Sequence, residues 1–192
     1  ITLWLLISSV VMGGILAVFL AIGRVSSNKF IQFPIWLFTY IFRGTPLLVQ
    51  TYLLYYGAGQ FAFIRDSWLW DPVLSQAWWC ALIAFTLNTA AYSTELLRGA
   101  IVDTPAGEVE AAIATGHSYC GRLRRIILPS AFRRAIPAYS NEVIFMLHGS
   151  AVAGIITVVD LTGAARIINA RYYSPFEAFL TAGLLYKIGR AH

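Results

Sequence analysis

Residues 110–129 read EAAIATGHSYCGRLRRIILP, from Glu110 to Pro129, the one long polar interval in an otherwise mostly apolar chain. Ala and Glu favour helix and Gly disfavours it. Glu110-Ala111-Ala112 therefore opens a short helical pattern, Gly116 interrupts it, and a second, basic segment runs to Ile126, Leu128 and Pro129. Pro129 is expected to reset the backbone just before the next apolar run. A short helical hairpin projecting from an apolar bundle is a docking element, because a rigid protrusion transmits force to a partner. The alternative is a passive loop. In that case Glu110 only complements a helix start, and Arg122, Arg124 and Arg125 only enforce topology or touch anionic lipid, at about 1 kcal/mol per basic residue.

Outward from this interval the composition sets the class. The 192 residues are 58% hydrophobic and 12% charged, with a mean hydropathy of +0.68, too apolar for an ordinary soluble domain. The apolar residues come in blocks of roughly 20, the length that crosses a bilayer core. The net charge of +5 comes from basic residues that flank these blocks, which points to membrane topology and away from nucleic acid. Cys80 and Cys120 show no metal-ligand spacing and are expected to be free thiols.

In chain order, the first block is uncharged from Ile1 to about Gly23, with a Gly13-Gly14 pair that permits close helix packing. A polar connection, Arg24 to Asn28, leads through Lys29 into an aromatic stretch, Phe30 to Phe42, of the kind that gathers at membrane interfaces. We read it as an interfacial helix leading across Arg43-Gly44-Thr45-Pro46 into a second span at about Leu47 to Phe61. The alternative is one tilted, kinked helix from Phe30 to Tyr56. A polar loop, Ile64 to Gln76, precedes a third span at about Ala77 to Leu96. Beyond the hairpin come a fourth span, about Ile136 to Val159, and a surface segment, Asp160 to Ser174, with Arg166 and Arg171 on the polar side of a short amphipathic helix. The last block, Phe176 to Ile188, is short for a span. With the absence of an initial Met, it suggests a chain clipped at one or both ends. The expectation is an all-α polytopic membrane protein of about five spans, one domain over residues 1–192, with residues 98–135 forming a loop within it.

Orientation follows from the basic residues. Arg24, Lys29, Arg43, Arg98, Arg122, Arg124, Arg125, Arg133, Arg134, Lys187 and Arg190 fall on one side, leaving Arg65, Arg166 and Arg171 on the other. The positive-inside rule makes the first group cytoplasmic. The hairpin is then inside and the amino end outside.

The residues Glu110-Ala111-Ala112 and Gly116, followed by Ile126 and Leu128-Pro129, resemble the EAA motif of permease subunits of bacterial ABC importers. Phe42-Arg43-Gly44-Thr45-Pro46-Leu47-Leu48-Val49-Gln50, and Ala91-Tyr92 with Glu95, Arg98, Gly99, Ala100 and Ile101, resemble the polar amino acid permease family. Residues 21–50 and 137–148 look closest to its M-type subunits for histidine, lysine, arginine and ornithine. The resemblance spans Ile1 to about Tyr186 and departs from the pattern at Ser118-Tyr119-Cys120 and His148-Gly149-Ser150-Ala151. It implies a MetI-like permease fold in the bacterial inner membrane and a second, paralogous permease subunit. It also implies two cytoplasmic ATPase subunits that hold ATP and Mg, and a periplasmic amino-acid-binding protein. Glu110, Ala111, Ala112, Gly116, Leu128 and Pro129 become the ATPase-coupling residues. The chain has no GxxxxGK[ST] cradle, HExxH or GxSxG, so no catalytic residue and no bound cofactor or metal is expected in it.

Glu142 is the other residue that invites a role, since a carboxylate inside an apolar span is costly unless paired or hydrated. Phe145, Met146 and Gly149 share its helix face, giving a carboxylate, two apolar walls and a small residue as a seat for a cationic side chain. Asn88, Thr89 and Ser150 add hydrogen-bonding groups to the expected substrate site. The structural alternative pairs Glu142 with Arg133 or Arg134, or sets it beside Asn141 to hold a neighbouring helix. His148 falls on a different face and is expected to be a packed interior residue. Arg43 and Glu95 suggest a pair, but each is expected to snorkel to the interface. A gradient-driven secondary amino acid transporter is the competing class, poorly matched by a chain without internal repeat.

Overall fold

The computed structural model describes residues 1–188 and, among them, helices and turns without a strand. Arg190 lies outside the described residues. Helix α1 (Thr2–Val25) is followed by α2 (Lys29–Gly44), α3 (Leu47–Tyr52) and α4 (Ala62–Arg65), with a π turn at Leu53–Gly57 between the last two. Then come α5 (Ala77–Val102), α6 (Ala106–Ala114), α7 (Tyr119–Arg122), α8 (Leu128–Gly149), α9 (Leu161–Tyr172) and α10 (Pro175–Ile188). Short turns, including a π turn at Trp70–Leu74, occupy much of the loop expected over Ile64 to Gln76.

The bundle is built around α5. From Cys80 to Thr94 every residue of it is buried except Ile83, Leu87 and Tyr92, so neighbouring helices enclose it. Its largest partner is α1, which turns Ser9, Gly13, Ala17 and Ala21, spaced by four, onto α5. At Gly13 the two backbones approach so closely that an added Cβ would lie 2.8 Å from the Thr89 Cβ and 2.9 Å from the Thr86 carbonyl oxygen. The opposite face of α1 presents Trp4, Ile7, Val11, Ile15 and Phe19 outward. Helix α1 is the one helix among the described residues long and apolar enough to cross a membrane by itself. Helix α5 fails that test on composition, carrying Thr86, Asn88, Thr89, Ser93, Thr94 and Glu95. Enclosure buries them against other helices, where Asn88, Thr94 and Glu95 find hydrogen-bond partners, while the hydroxyls of Thr86, Thr89 and Ser93 have none among the described residues.

Glu95 does not snorkel to an interface. Its carboxylate accepts from Arg24 Nε at 3.0 Å, from Thr39 Oγ1 at 3.0 Å and from Arg98 Nε at 2.6 Å, joining α1, α2 and α5. Arg43 is not among its partners. The same contacts correct the reading of residues 30–56. Gln32 donates to the Arg24 carbonyl, Thr39 meets Glu95, and Asn88 meets the Phe42 carbonyl. Thus α2 climbs along α5 as the first limb of a kinked helix.

Two further expectations change. Pro129 does not reset the backbone: α7, a π turn at Leu123–Ile127 and α8 run on without interruption, with Pro129 in the first turn of α8, where its missing N–H is least felt. Helix α8 also stops at Gly149, short of Val159, and gives way to a 3-10 segment, Ser150–Ile156, closed by Thr157 at φ 70°. Asp160 caps α9 by accepting from Gly163 N at 2.7 Å, and it receives the Tyr186 hydroxyl at 3.2 Å. Leu161 N donates to Thr2 Oγ1 at 3.0 Å, tying the α9–α10 pair to the start of α1.

Gly13→Leu should destabilise the purified protein by about 1–3 kcal/mol, the usual cost of overpacking. Gly99→Ala, with nothing within 4 Å of the added Cβ, should leave the melting temperature unchanged or raised. Removing the Glu95 carboxylate leaves two guanidinium groups unmatched, and Glu95→Ala should cost about 3–5 kcal/mol. Glu95→Gln, which retains an acceptor oxygen, should cost clearly less in the same melts.

Candidate functional site

Two places draw the sequence-derived residues together: a cleft at mid-length of α5, and the hairpin beyond its end.

The cleft begins with a break in a helix. Pro46 has no N–H to continue the ladder to the Phe42 carbonyl, and Thr45 before it is extended, at φ −114° and ψ 141°. The last carbonyls of α2 are therefore orphaned, and side chains satisfy them. Thr45 Oγ1 donates to Ile41 O at 2.8 Å. Gln50 Nε2 donates to Phe42 O at 2.7 Å and to Thr45 O at 2.9 Å. The Tyr92 hydroxyl donates to Arg43 O at 3.3 Å. Asn88 Nδ2 holds Gln50 by its Oε1 at 3.1 Å. The kink between α2 and α3 is thus clamped onto α5 by an amide pair.

Beside this clamp lies a cleft of about 360 Å³, lined by Thr45, Pro46 and Leu47 from the break, Asn88 and Tyr92 from α5, and Glu142, Phe145, Met146 and Gly149 from α8. Of the expected substrate residues, the structure brings together Glu142, Met146, Gly149 and Asn88. It places Thr89 against Gly13, fully buried between α5 and α1. Ser150 is buried too, donating to Leu147 O at 2.6 Å. Neither lines the cleft. Glu142 has no ion-pair partner among the described residues. Arg134, its proposed structural partner, points elsewhere, donating to Ala100 O at 2.8 Å and Thr104 Oγ1 at 2.9 Å. His148 is exposed beside the Tyr186 ring rather than packed in the interior. Cys80 is buried, Cys120 exposed, and both are free thiols.

Tyr92, Gln50 and Thr45 are site-forming residues that periodicity did not single out. The signal for them was Pro46 itself: a helix broken by Pro leaves carbonyls that nearby donors must satisfy.

At the other end, α6 begins at Ala106, earlier than the Glu110 start read from sequence. Glu110 and Ala111 are exposed on it, while Ala112 is turned inward, 2% exposed. Gly116, at φ 74°, makes the turn. Ser118 then caps α7 by accepting from Gly121 N at 3.3 Å. Leu128 packs among Ala17, Ala21, Leu97, Ile101, Ala131 and Ala135, and Pro129 stays exposed. Arg134 binds the last turn of α5 across the base of this hairpin, where a cation at a helix C-terminus is favoured.

The model of the family described as the binding-protein-dependent transport system inner membrane component matches residues 10–187. The histidine/lysine/arginine/ornithine transport system permease protein HisM of Salmonella typhimurium is 58% identical over 188 residues, covering 98% of this chain and 80% of that protein. The octopine transport system permease protein OccM of Rhizobium meliloti is 46% identical over 182 residues, covering 95% and 74%. The crystal structure of an amino acid ABC transporter with histidines matches at a TM-score of 0.86 and 33% identity, over 97% of this chain and 83% of that one. With the family model spanning nearly the whole chain, and an enclosed helical bundle carrying a hairpin beyond its central helix, this chain belongs to the inner membrane components of binding-protein-dependent transport systems, the permease subunits of ABC importers.

Proposed function

We propose that this chain is the permease subunit through which an ATP-driven importer passes basic amino acids (histidine, lysine, arginine or ornithine) into the cytoplasm. The observation that carries the substrate class is the cleft itself: Glu142 stands in it without an ion-pair partner among the described residues, beside the apolar Phe145 and Met146 and the small Gly149. Helix α5 has 26 residues, about 39 Å at 1.5 Å per residue, enough to cross a bilayer core of about 30 Å. Asn88 lies near its middle, so the cleft sits at mid-depth, where an unmatched carboxylate awaits a cation. The likeness to permeases named for histidine, lysine, arginine, ornithine and octopine supports the same class.

The chain is one domain of about five spans, with the α6–α7 hairpin inside residues 98–135 as its cytoplasmic coupling loop. The amino end faces the periplasm. This chain and its partner permease sit on two ATPase subunits, one of which docks on the exposed Glu110 and Ala111 face; Gly116 sets the hairpin angle, and Leu128 and Pro129 pass the movement into α8. ATP and Mg belong to those partners, and this chain binds no cofactor. A periplasmic binding protein delivers the amino acid to a pair formed with a second, paralogous permease. The clamp of Arg134 on Ala100 and Thr104 supports these mechanics: the hairpin leaves α5 and returns into α8 through a braced base, so displacement at α6 moves both cleft-lining helices together.

In the reconstituted complex, Glu142→Gln should raise the KM for arginine uptake about 10–100-fold, the worth of one interaction with a charged group, with ATPase docking intact. Unchanged uptake of arginine and histidine removes Glu142 from the site, and uptake that persists without the ATPase subunits defeats the importer reading. Arg134→Ala should leave ATP hydrolysis running while lowering the amino acid imported per ATP. Measured together, uptake and phosphate release separate that uncoupling from loss of assembly.

A further inference from the structure

Arg43 ends the first limb of the kinked helix, one residue before the Gly44-Thr45-Pro46 break. Its backbone is held by the Tyr92 hydroxyl on its carbonyl, and its guanidinium lies 5.5 Å from the centroid of the Tyr92 ring. Tyr92 in turn lines the cleft. The side chain is therefore placed on an aromatic platform at the cleft margin, within the range of a cation–π contact. Its level is that of Tyr92, ten residues before the end of α5, and the residue is exposed on the isolated chain. Among the described residues it has no ion-pair partner. The guanidinium is a planar cation with a fork of N–H donors.

Glu142 presents the opposite sign from α8 and is also unpaired. Among the described residues the two do not close into an ion pair. Glu142 lines the cleft, and Arg43 lies over the ring of Tyr92, which lines it too; opposite charges so placed, and not paired with each other, suit a molecule that carries both signs. A basic amino acid does so, with an α-carboxylate at one end and a cationic side chain at the other. Resting on the reading of the cleft as a basic amino acid site, we infer that Arg43 is the seat of the substrate's α-carboxylate, opposite Glu142. The planar fork of a guanidinium matches a carboxylate with two parallel N–H···O bonds. The Tyr92 ring keeps that fork flat and oriented while the cleft is empty. Selection for an amino acid over a simple amine is then built into the permease.

The test is equilibrium binding of L-arginine and of agmatine, which is arginine without its carboxylate, to the whole complex in nanodiscs with the binding protein omitted. The wild type should hold arginine about tenfold or more tightly than agmatine, the worth of a charge-assisted contact. Arg43→Gln should abolish that preference by weakening arginine while leaving agmatine unchanged, and Arg43→Lys should recover part of it. Unchanged agmatine binding also shows that the variant is folded. Equal weakening of both ligands, no change in either, or tighter binding of both overturns the inference, the last by making Arg43 a competing cation. Loss of arginine binding in Glu142→Gln but not in Arg43→Gln leaves the site reading standing and removes only Arg43. Absence of arginine binding in the wild type refutes the site reading and this inference with it.

Discussion

The enclosure of α5 is the constraint on which the rest of this structure depends. A helix carrying Asn88 and Glu95 cannot face hydrocarbon without leaving an amide and a carboxylate unmatched, and here both are paired. It is stable here because α1, α2, α3 and α8 surround it. The closest of these contacts requires Ser9, Gly13, Ala17 and Ala21 on α1, since only small side chains let that helix settle against Thr86 and Thr89. Once α1 is seated, Arg24 at its end meets Glu95, and Glu95 gathers Thr39 and Arg98. One carboxylate thereby sets the relative height of three helices.

The functional geometry grows from the same helix. Because α5 presents Asn88 and Tyr92 toward α2, the break at Pro46 finds donors for its exposed carbonyls, and the kink becomes a fixed feature. The cleft beside it is bounded by a clamped bend on one side and by α8 on the other. Its polar groups stand on braced backbone. Neither Glu142 nor Arg43 has an ion-pair partner among the described residues.

The hairpin shares this economy of parts. Its first limb exposes Glu110 and Ala111 and turns Ala112 inward, its turn uses the left-handed backbone of Gly116, and its second limb runs unbroken into α8. Arg134 braces the base against the last turn of α5. With no break at Pro129, the second limb and α8 form one continuous helical run, where the sequence suggested a reset of the backbone.

The sequence by itself determined the class of the molecule. Apolar blocks of span length, basic residues at their flanks and the pattern from Glu110 through Gly116 to Pro129 are local properties, and they named the helical permease and its hairpin. Glu142, Met146 and Gly149 were legible as one face because helical spacing is fixed at 3.6 residues. Only the tertiary structure decided what that face meets. That Asn88 lines the cleft while its neighbour Thr89 packs on Gly13 depends on which helices flank α5, a long-range matter that no window of sequence contains. Likewise Arg43 and Glu95 both read as interfacial ions. Their different fates follow from the path of α2 along α5, which brings Glu95 to Arg24 and leaves Arg43 on the Tyr92 ring.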